Sequence, residues 1–117
     1  MDASIRYSLL FDCYGGLLTR RQQDVVQLYH NENLSLSEIA EEFGISRQGV
    51  HDALKNAEAA LDGYEEKLGL ARTLRRREEA ICAIDRQIDA ILRDNRTNRG
   101  LTSRLQQVRS IIDQLDE

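Results

Sequence analysis

A chain of 117 residues has room for one domain, or for one small domain and an appendage. It has no Pro, no Trp and seven Gly, while Ala, Leu, Ile, Glu, Arg and Gln abound, which predicts an all-α protein. The formal net charge of −4 and the pI of about 5.2 exclude the strongly basic profile usual in duplex-DNA binders. No apolar run approaches the roughly 18 residues needed to span a bilayer, and the N-terminus lacks a secretory pattern, so a cytoplasmic protein is expected.

Charge divides unevenly. Residues 1–69 carry six basic and twelve acidic side chains, net −6, whereas residues 70–117 carry ten basic, all Arg, and eight acidic, net +2. Cys13 and Cys82 lie far apart without Cys-x-x-Cys or Cys/His spacing, and both read as reduced, buried small apolar residues. His30 and His51 are 21 residues apart with no carboxylate or thiol at ligand spacing, so no metal site is expected. No nucleophile elbow, phosphate loop or Gly-rich turn organises the Ser, His and acidic residues, so neither catalysis nor a cofactor is expected.

In chain order, residues 3–14 predict a helix with Ile5, Leu9, Leu10 and Cys13 on one side and Tyr7, Phe11 and Tyr14 adding aromatic bulk. Gly15-Gly16 ends it. Thr19 can cap a second helix, about Arg20 to His30, with Gln22 or Gln23 in its first turn and Val25, Val26, Leu28 and Tyr29 along it. Asn31-Glu32-Asn33 is polar loop.

The stretch from Leu34 to Asn56 organises the chain. Ser35 can cap a helix at 36–43, and Glu38 can reach back to close a capping box. Leu36, Ile39, Ala40 and Phe43 recur at three- and four-residue steps on one face. Gly44 stands where the turn needs positive φ. Ile45 fills the space between the helices, and Ser46 can cap a second helix at about 47–61, ending near Gly63 or running towards Lys67, with Val50, Ala53 and Leu54 inward. These offsets are those of a helix-turn-helix. Gly69 is a plausible C-cap.

From Leu70 the pattern changes. Leu74, Ile81, Ile84, Ile88 and Ile91 or Leu92 form the stripe of a helix at about 70–94, residues 94–100 read as loop, and Leu101, Leu105, Val108, Ile112 and Leu115 mark a last helix at about 101–116, with Thr102 or Ser103 near its start. The expected division is a helix-turn-helix domain at 1–69 and a helical extension at 70–117. Neither C-terminal helix can bury its stripe alone. They can form an antiparallel hairpin, pack on the N-terminal half or pair with a second chain, and a homodimer through these helices is the expectation drawn from the number of isoleucines left over.

The segments LLFDCYGGLLTRRQ (9–22), LSLSEIAEEFGISRQGVHDALKNAEAAL (34–61) and YEEKLGL (64–70) together resemble the YlxM-like (UPF0122) proteins, small bacterial proteins whose N-terminal half is similar to sigma-factor region four. The resemblance covers about the first 70 residues; the remainder matches in being helical and charged. Gly49 departs from the Ala or Thr common in sigma-like recognition helices, at a helix-stability cost of roughly 0.5–1 kcal/mol, and Glu58 stands where similar proteins often carry a basic residue. The resemblance implies an all-α, sigma region-four-like fold, DNA binding by analogy and a regulatory part in the signal recognition particle pathway, beside whose genes the family's genes tend to lie.

With Val50, Ala53 and Leu54 inward, Arg47, Gln48, His51 and Lys55 face outward. Arg47 can take a guanine edge or a phosphate, Gln48 an adenine edge and Lys55 a phosphate, while Arg20 and Arg21 can add backbone contacts. Asp52 lies close by and would repel phosphate, and Glu41, Glu42 and Glu58 add an acidic surround. The secondary basic segment, Arg72, Arg75, Arg76 and Arg77, is either a phosphate-binding patch or a solvated face with a local Arg75–Glu79 pair. Two functions stand side by side: a non-enzymatic regulatory protein of DNA-binding type, and a protein-interaction module modulating the signal recognition particle GTPase or its RNA without binding DNA.

Overall fold

The computed structural model describes residues 3–115. Its elements are α1 (Ala3–Tyr14), a 3-10 turn (Gly15–Leu17), α2 (Arg20–Val26), a π-helical turn (Gln27–Asn31), α3 (Leu36–Phe43), α4 (Arg47–Leu68), α5 (Leu70–Asp94) and α6 (Arg99–Gln114). The fold is all-α, with no strand among the described residues. Two compact units divide between Arg72 and Thr73.

Caps set the helix starts. Thr19 and Ser35 each form a reciprocal capping box, with Gln22 and Glu38 respectively, and Ser46 accepts from the Gly49 N–H at 2.9 Å to start α4. Gly44 turns the chain at φ 67° and Gly69 ends α4 at φ 61°, both in the left-handed region where a Cβ is strained. Gly63 does not break α4, which runs on to Leu68, because its apolar face stays packed as far as Leu61 and its next acidic residues bond neighbouring helices.

α1 differs from the expectation. Ile5 and Leu9 are 54% and 46% exposed, while Leu10 and Tyr14 are buried and Tyr7 and Phe11 half-buried. The inward face therefore runs Tyr7–Leu10–Tyr14, at i, i+3, i+7, because the phenol hydroxyls find carboxylate partners on α4 that let the rings be covered. Cys13 is half-buried, whereas Cys82 is exposed, against the expectation of burial.

The first unit's core joins Leu10, Tyr14, Leu18, Val25, Val26, Ile39, Ala40, Val50, Leu54, Ala57 and Leu61. Ile39, Leu61, Val25, Val26 and Val50 are fully buried, each contributing about 1.5–3 kcal/mol of transfer free energy. Arg21 closes one edge, its guanidinium 4.7 Å from the Phe43 ring centroid.

Acidic residues of α4 fasten the other elements. Asp62 accepts from Arg6 Nη2 and from the Tyr7 hydroxyl, each at 2.8 Å. Burial, reinforced by that carboxylate, pushes the Tyr7 phenol up to about 12, and Asp62 likewise raises the Arg6 guanidinium above its ordinary value. Glu65 Oε1 accepts from the Tyr14 hydroxyl at 2.8 Å and the Ala71 N–H at 3.0 Å, and Oε2 from the Arg72 N–H at 3.2 Å. Burial alone would raise its carboxyl, but these donors outweigh it and hold Glu65 below the usual value, while burial and the same hydrogen bond raise Tyr14. The Tyr14 oxygen accepts from the Leu70 N–H at 2.9 Å. The first N–H groups of α5 are thus satisfied by side chains from elsewhere in the unit.

The second unit is an antiparallel hairpin of α5 and α6. α6 begins earlier than expected, at Arg99, because the Asn98 side chain accepts from the Leu101 N–H at 3.0 Å, so the loop shrinks to residues 95–98. The expected end at 116 lies outside the described residues. Ile81, Asp85, Ile88 and Leu92 face Leu101, Leu105, Arg109 and Ile112, and of the described residues in this unit Ile88 falls lowest in exposure, to 4%. Arg109 crosses the seam to Asp89, Nη2 to Oδ1 at 2.7 Å, and to Asp85, Nε to Oδ1 at 3.5 Å. The Asp89 hydrogen bond raises the Arg109 guanidinium.

Candidate nucleic-acid interface

The helix-turn-helix is built by α3 and α4. Ser46 fixes where α4 starts, so Arg47 is its first residue, and Val50, Leu54, Ala57 and Leu61 turn one side of it into the core. Arg47, Gln48 and Lys55 are therefore exposed and His51 half-exposed. Arg47, His51 and Lys55 follow at four-residue steps, one above the other on the helix surface.

Arg47 makes no side-chain hydrogen bond or ion pair among the described residues. Its neighbours are engaged. Gln48 donates through Nε2 to Asp52 Oδ1 at 2.9 Å, and His51 Nδ1 lies 3.4 Å from the same oxygen. Lys55 Nζ is 3.4 Å from Glu58 Oε1. On α2, Arg20 pairs with Asp24 at 3.5 Å and Arg21 stacks on Phe43. The cations of these contacts are exposed and the contacts weak, about 0–1 kcal/mol each, so a phosphate can compete for them. The Gln48–Asp52 bond directs the amide's donor along the helix surface, and a base edge must compete for it.

Arg72, Arg75, Arg76 and Arg77 are all exposed. The expected Arg75–Glu79 ion pair does not form among the described residues; Arg77 instead donates to the Leu115 carbonyl at 3.3 Å. The unit boundary separates Arg72 from the other three.

Glu58 corrects the sequence reading. It is 8% exposed and turned inward rather than part of an acidic surround, and its Oε2 lies 2.7 Å from His30 Nε2. His30 is 7% exposed, with Nδ1 3.1 Å from Ser4 Oγ and its ring against Tyr7 and Tyr29. A histidine and a carboxylate 28 residues apart carry no spacing signal, but Glu58, Asp62 and Glu65 border the apolar stripe Leu54–Ala57–Leu61 at i, i+4, i+7, and that acidic edge was the available clue.

The family model "Putative helix-turn-helix protein, YlxM / p13 like" matches residues 1–99. The chain is 46% identical over 84 residues to a UPF0122 protein of Desulforamulus reducens, covering 72% of each chain. It is 43% identical over 89 residues to one of Halalkalibacterium halodurans, covering 76% of this chain and 82% of that one. With one of Symbiobacterium thermophilum it is 48% identical over 85 residues, covering 69% and 79%. The chain belongs to the UPF0122 family of YlxM / p13-like helix-turn-helix proteins.

Proposed function

We propose that this chain is a cytoplasmic, non-enzymatic regulatory protein of DNA-binding type, acting as a homodimer through its C-terminal helices. The observation that carries the reading is Arg47, an exposed guanidinium without a partner among the described residues at the first position of α4, where a helix-turn-helix meets a groove. Arg20, Arg21 and Lys55 position the backbone, and Arg47, Gln48 and His51 meet base edges. Binding then depends on salt. Arg47→Ala and Lys55→Ala, measured by fluorescence anisotropy on duplex DNA from 50 to 200 mM salt, should each lower the slope of log affinity against log salt by about one. Salt-independent binding, or none at the lowest salt, refutes this mechanism.

A second reading, a protein-interaction module of the signal recognition particle pathway acting on its GTPase or its RNA, is favoured by a separate observation. Ile5, Leu9 and Leu17 of the first unit are 54%, 46% and 60% exposed, apolar side chains that suit a protein partner rather than phosphate. A pull-down followed by nuclease treatment separates the two: a partner surviving nuclease supports the second reading, and a nucleic acid lost with it supports the first.

A further inference from the structure

A helix pair buries one flank of each helix, and in this hairpin the other apolar flank stays open. Ile84 and Ile91 of α5 are 44% and 38% exposed, and Val108, Ile111 and Leu115 of α6 are 43%, 61% and 51% exposed. At about 100° per residue, Ile84 and Ile91 lie to one side of the Ile81–Ile88–Leu92 seam, and Val108, Ile111 and Leu115 lie in the same rotational sense from the Leu105–Ile112 seam. The helices run in opposite directions, so equal senses bring both flanks to one side of the hairpin. Ala80, Ala83, Gln87 and Ala90 continue that side on α5, without a charge between Ala80 and Ile91. Arg77 and Arg104 stand at its two ends. The charged residues of the same stretch, Asp85, Arg86 and Asp89, point elsewhere. An uncharged apolar strip with alanines is the wrong chemistry for phosphate and suits the close approach of another helix pair.

We propose that this face pairs with the same face of a second copy, α5 lying antiparallel on α5, to make a four-helix bundle. The proposal rests on the dimer reading above and specifies its surface and register. Two observations choose a second copy. The five exposed residues present on the order of 400 Å² of apolar surface per copy, about 800 Å² for two, the size of a weak, concentration-dependent association rather than a permanent one. Charge fixes the direction. Arg76 and Asp94 are both exposed, neither has a side-chain partner among the described residues, and both border this strip. They are 18 residues apart, five helical turns, so they share one azimuth while standing about 27 Å apart along α5. Within one copy they cannot meet. A two-fold axis crossing α5 near Asp85 sets Arg76 of each copy against Asp94 of the other, twice over, as an isologous interface requires. A parallel pairing would set Arg76 against Arg76.

Sedimentation equilibrium on the full chain tests it. The wild type should associate to a dimer at micromolar to tens of micromolar concentration, and Ile84→Glu and Ile111→Glu should leave monomers. Arg76→Asp or Asp94→Arg alone should raise the dimer Kd about tenfold, two reciprocal pairs being lost, and the double variant R76D/D94R should return it to within about threefold of wild type. Far-UV circular dichroism checks that helicity is kept; should the isoleucine variants lose it, the exposed charge pair carries the test unaided. Cys82 points away from this face, so its alkylation rate should be equal in monomer and dimer. A wild type that stays monomeric at hundreds of micromolar overturns the dimer and this face together. A dimer that survives Ile84→Glu with helicity intact, or a double variant that does not recover, overturns the face or register while leaving dimerisation standing.

Discussion

Truncating Glu58 to Ala should damage the first unit far more than its position on a charged helix suggests. The His30 and Glu58 side chains are 3% and 11% exposed, and their nitrogen and oxygen are 2.7 Å apart. Removing the carboxylate deletes a hydrogen bond to a charged group, about 1.5–3 kcal/mol, and leaves a ring nitrogen buried without its acceptor, a penalty of similar order. The lost Lys55 contact is exposed on its lysine side and adds at most about 1 kcal/mol. A unit ending at Arg72 holds roughly 4–11 kcal/mol in total, so a third or more of its stability should go. Urea unfolding of the full chain at pH 7, followed by far-UV circular dichroism, should show the midpoint falling by about 2 M or more for a slope near 1–1.5 kcal/mol/M. Glu58→Gln, which keeps the shape and an oxygen acceptor, should lose about half as much. A Glu58→Ala loss under about 1 kcal/mol, or a His30→Ala/Glu58→Ala cycle with no coupling, would refute the internal role assigned to this carboxylate.

Tyr7 predicts an alkaline limit: its neutral phenol is favoured in the folded chain, so its contribution is complete below pH 10 and lost as pH rises towards about 12; stability should fall in that window, and less steeply in Tyr7→Phe. Glu65 has the opposite sign, its carboxyl held below the ordinary carboxylate value by its donors, so its contribution is present above that ordinary value and lost as acid takes the pH through the depressed one. Glu65→Gln should be about 1–2 kcal/mol less stable at neutral pH and show a shallower acid slope; an unchanged slope would remove Glu65 from the helix junction. Asp52→Asn lifts a negative charge beside Gln48 and His51 and should tighten duplex binding about two- to tenfold at low salt, with anisotropy as the readout; unchanged affinity would argue that this face of α4 does not meet nucleic acid.

The helix-turn-helix was legible because its determinants are local. Ser35, Glu38, Gly44 and Ser46 act within four residues of their own positions, and the structure puts each in the expected cap or turn. What escaped was long-range. α1 shows two apolar stripes, and the choice between Ile5–Leu9 and Tyr7–Leu10–Tyr14 was made by Asp62 and Glu65, more than fifty residues away. Burial of His30 likewise depends on Glu58, and exposure of Cys82 on which flank of α5 meets α6. The site residues were legible as an outward face, because the inward residues of α4 fix it, but their engagement with Asp52, Glu58, Asp24 and Phe43 was not.

The acidity of the first 69 residues carries less weight against a nucleic-acid surface than a charge sum implies, because position decides what a charge does. α4 divides into two parts. Its first three turns, Arg47 to Lys55, hold two cations, a histidine and Asp52 on the outside; its later turns hold Glu58, Asp62 and Glu65, turned towards His30, Arg6 with Tyr7, and Tyr14 with the start of α5. Asp24 is paired with Arg20, and Glu38 closes a capping box. A carboxylate that accepts a hydrogen bond from its own fold has part of its field cancelled by the donor, and at physiological ionic strength its remainder is screened over about 8 Å. On the exposed turns of α4 the local opposition to phosphate therefore reduces to Asp52, with Glu41 and Glu42 exposed on α3. Bound to a duplex as proposed, such a face would gain affinity mainly from backbone phosphates, through Arg47 and cations that release weak partners. It gains little from base edges while Asp52 holds Gln48, so it should bind duplexes with a steep salt dependence and a low ratio of specific to non-specific affinity.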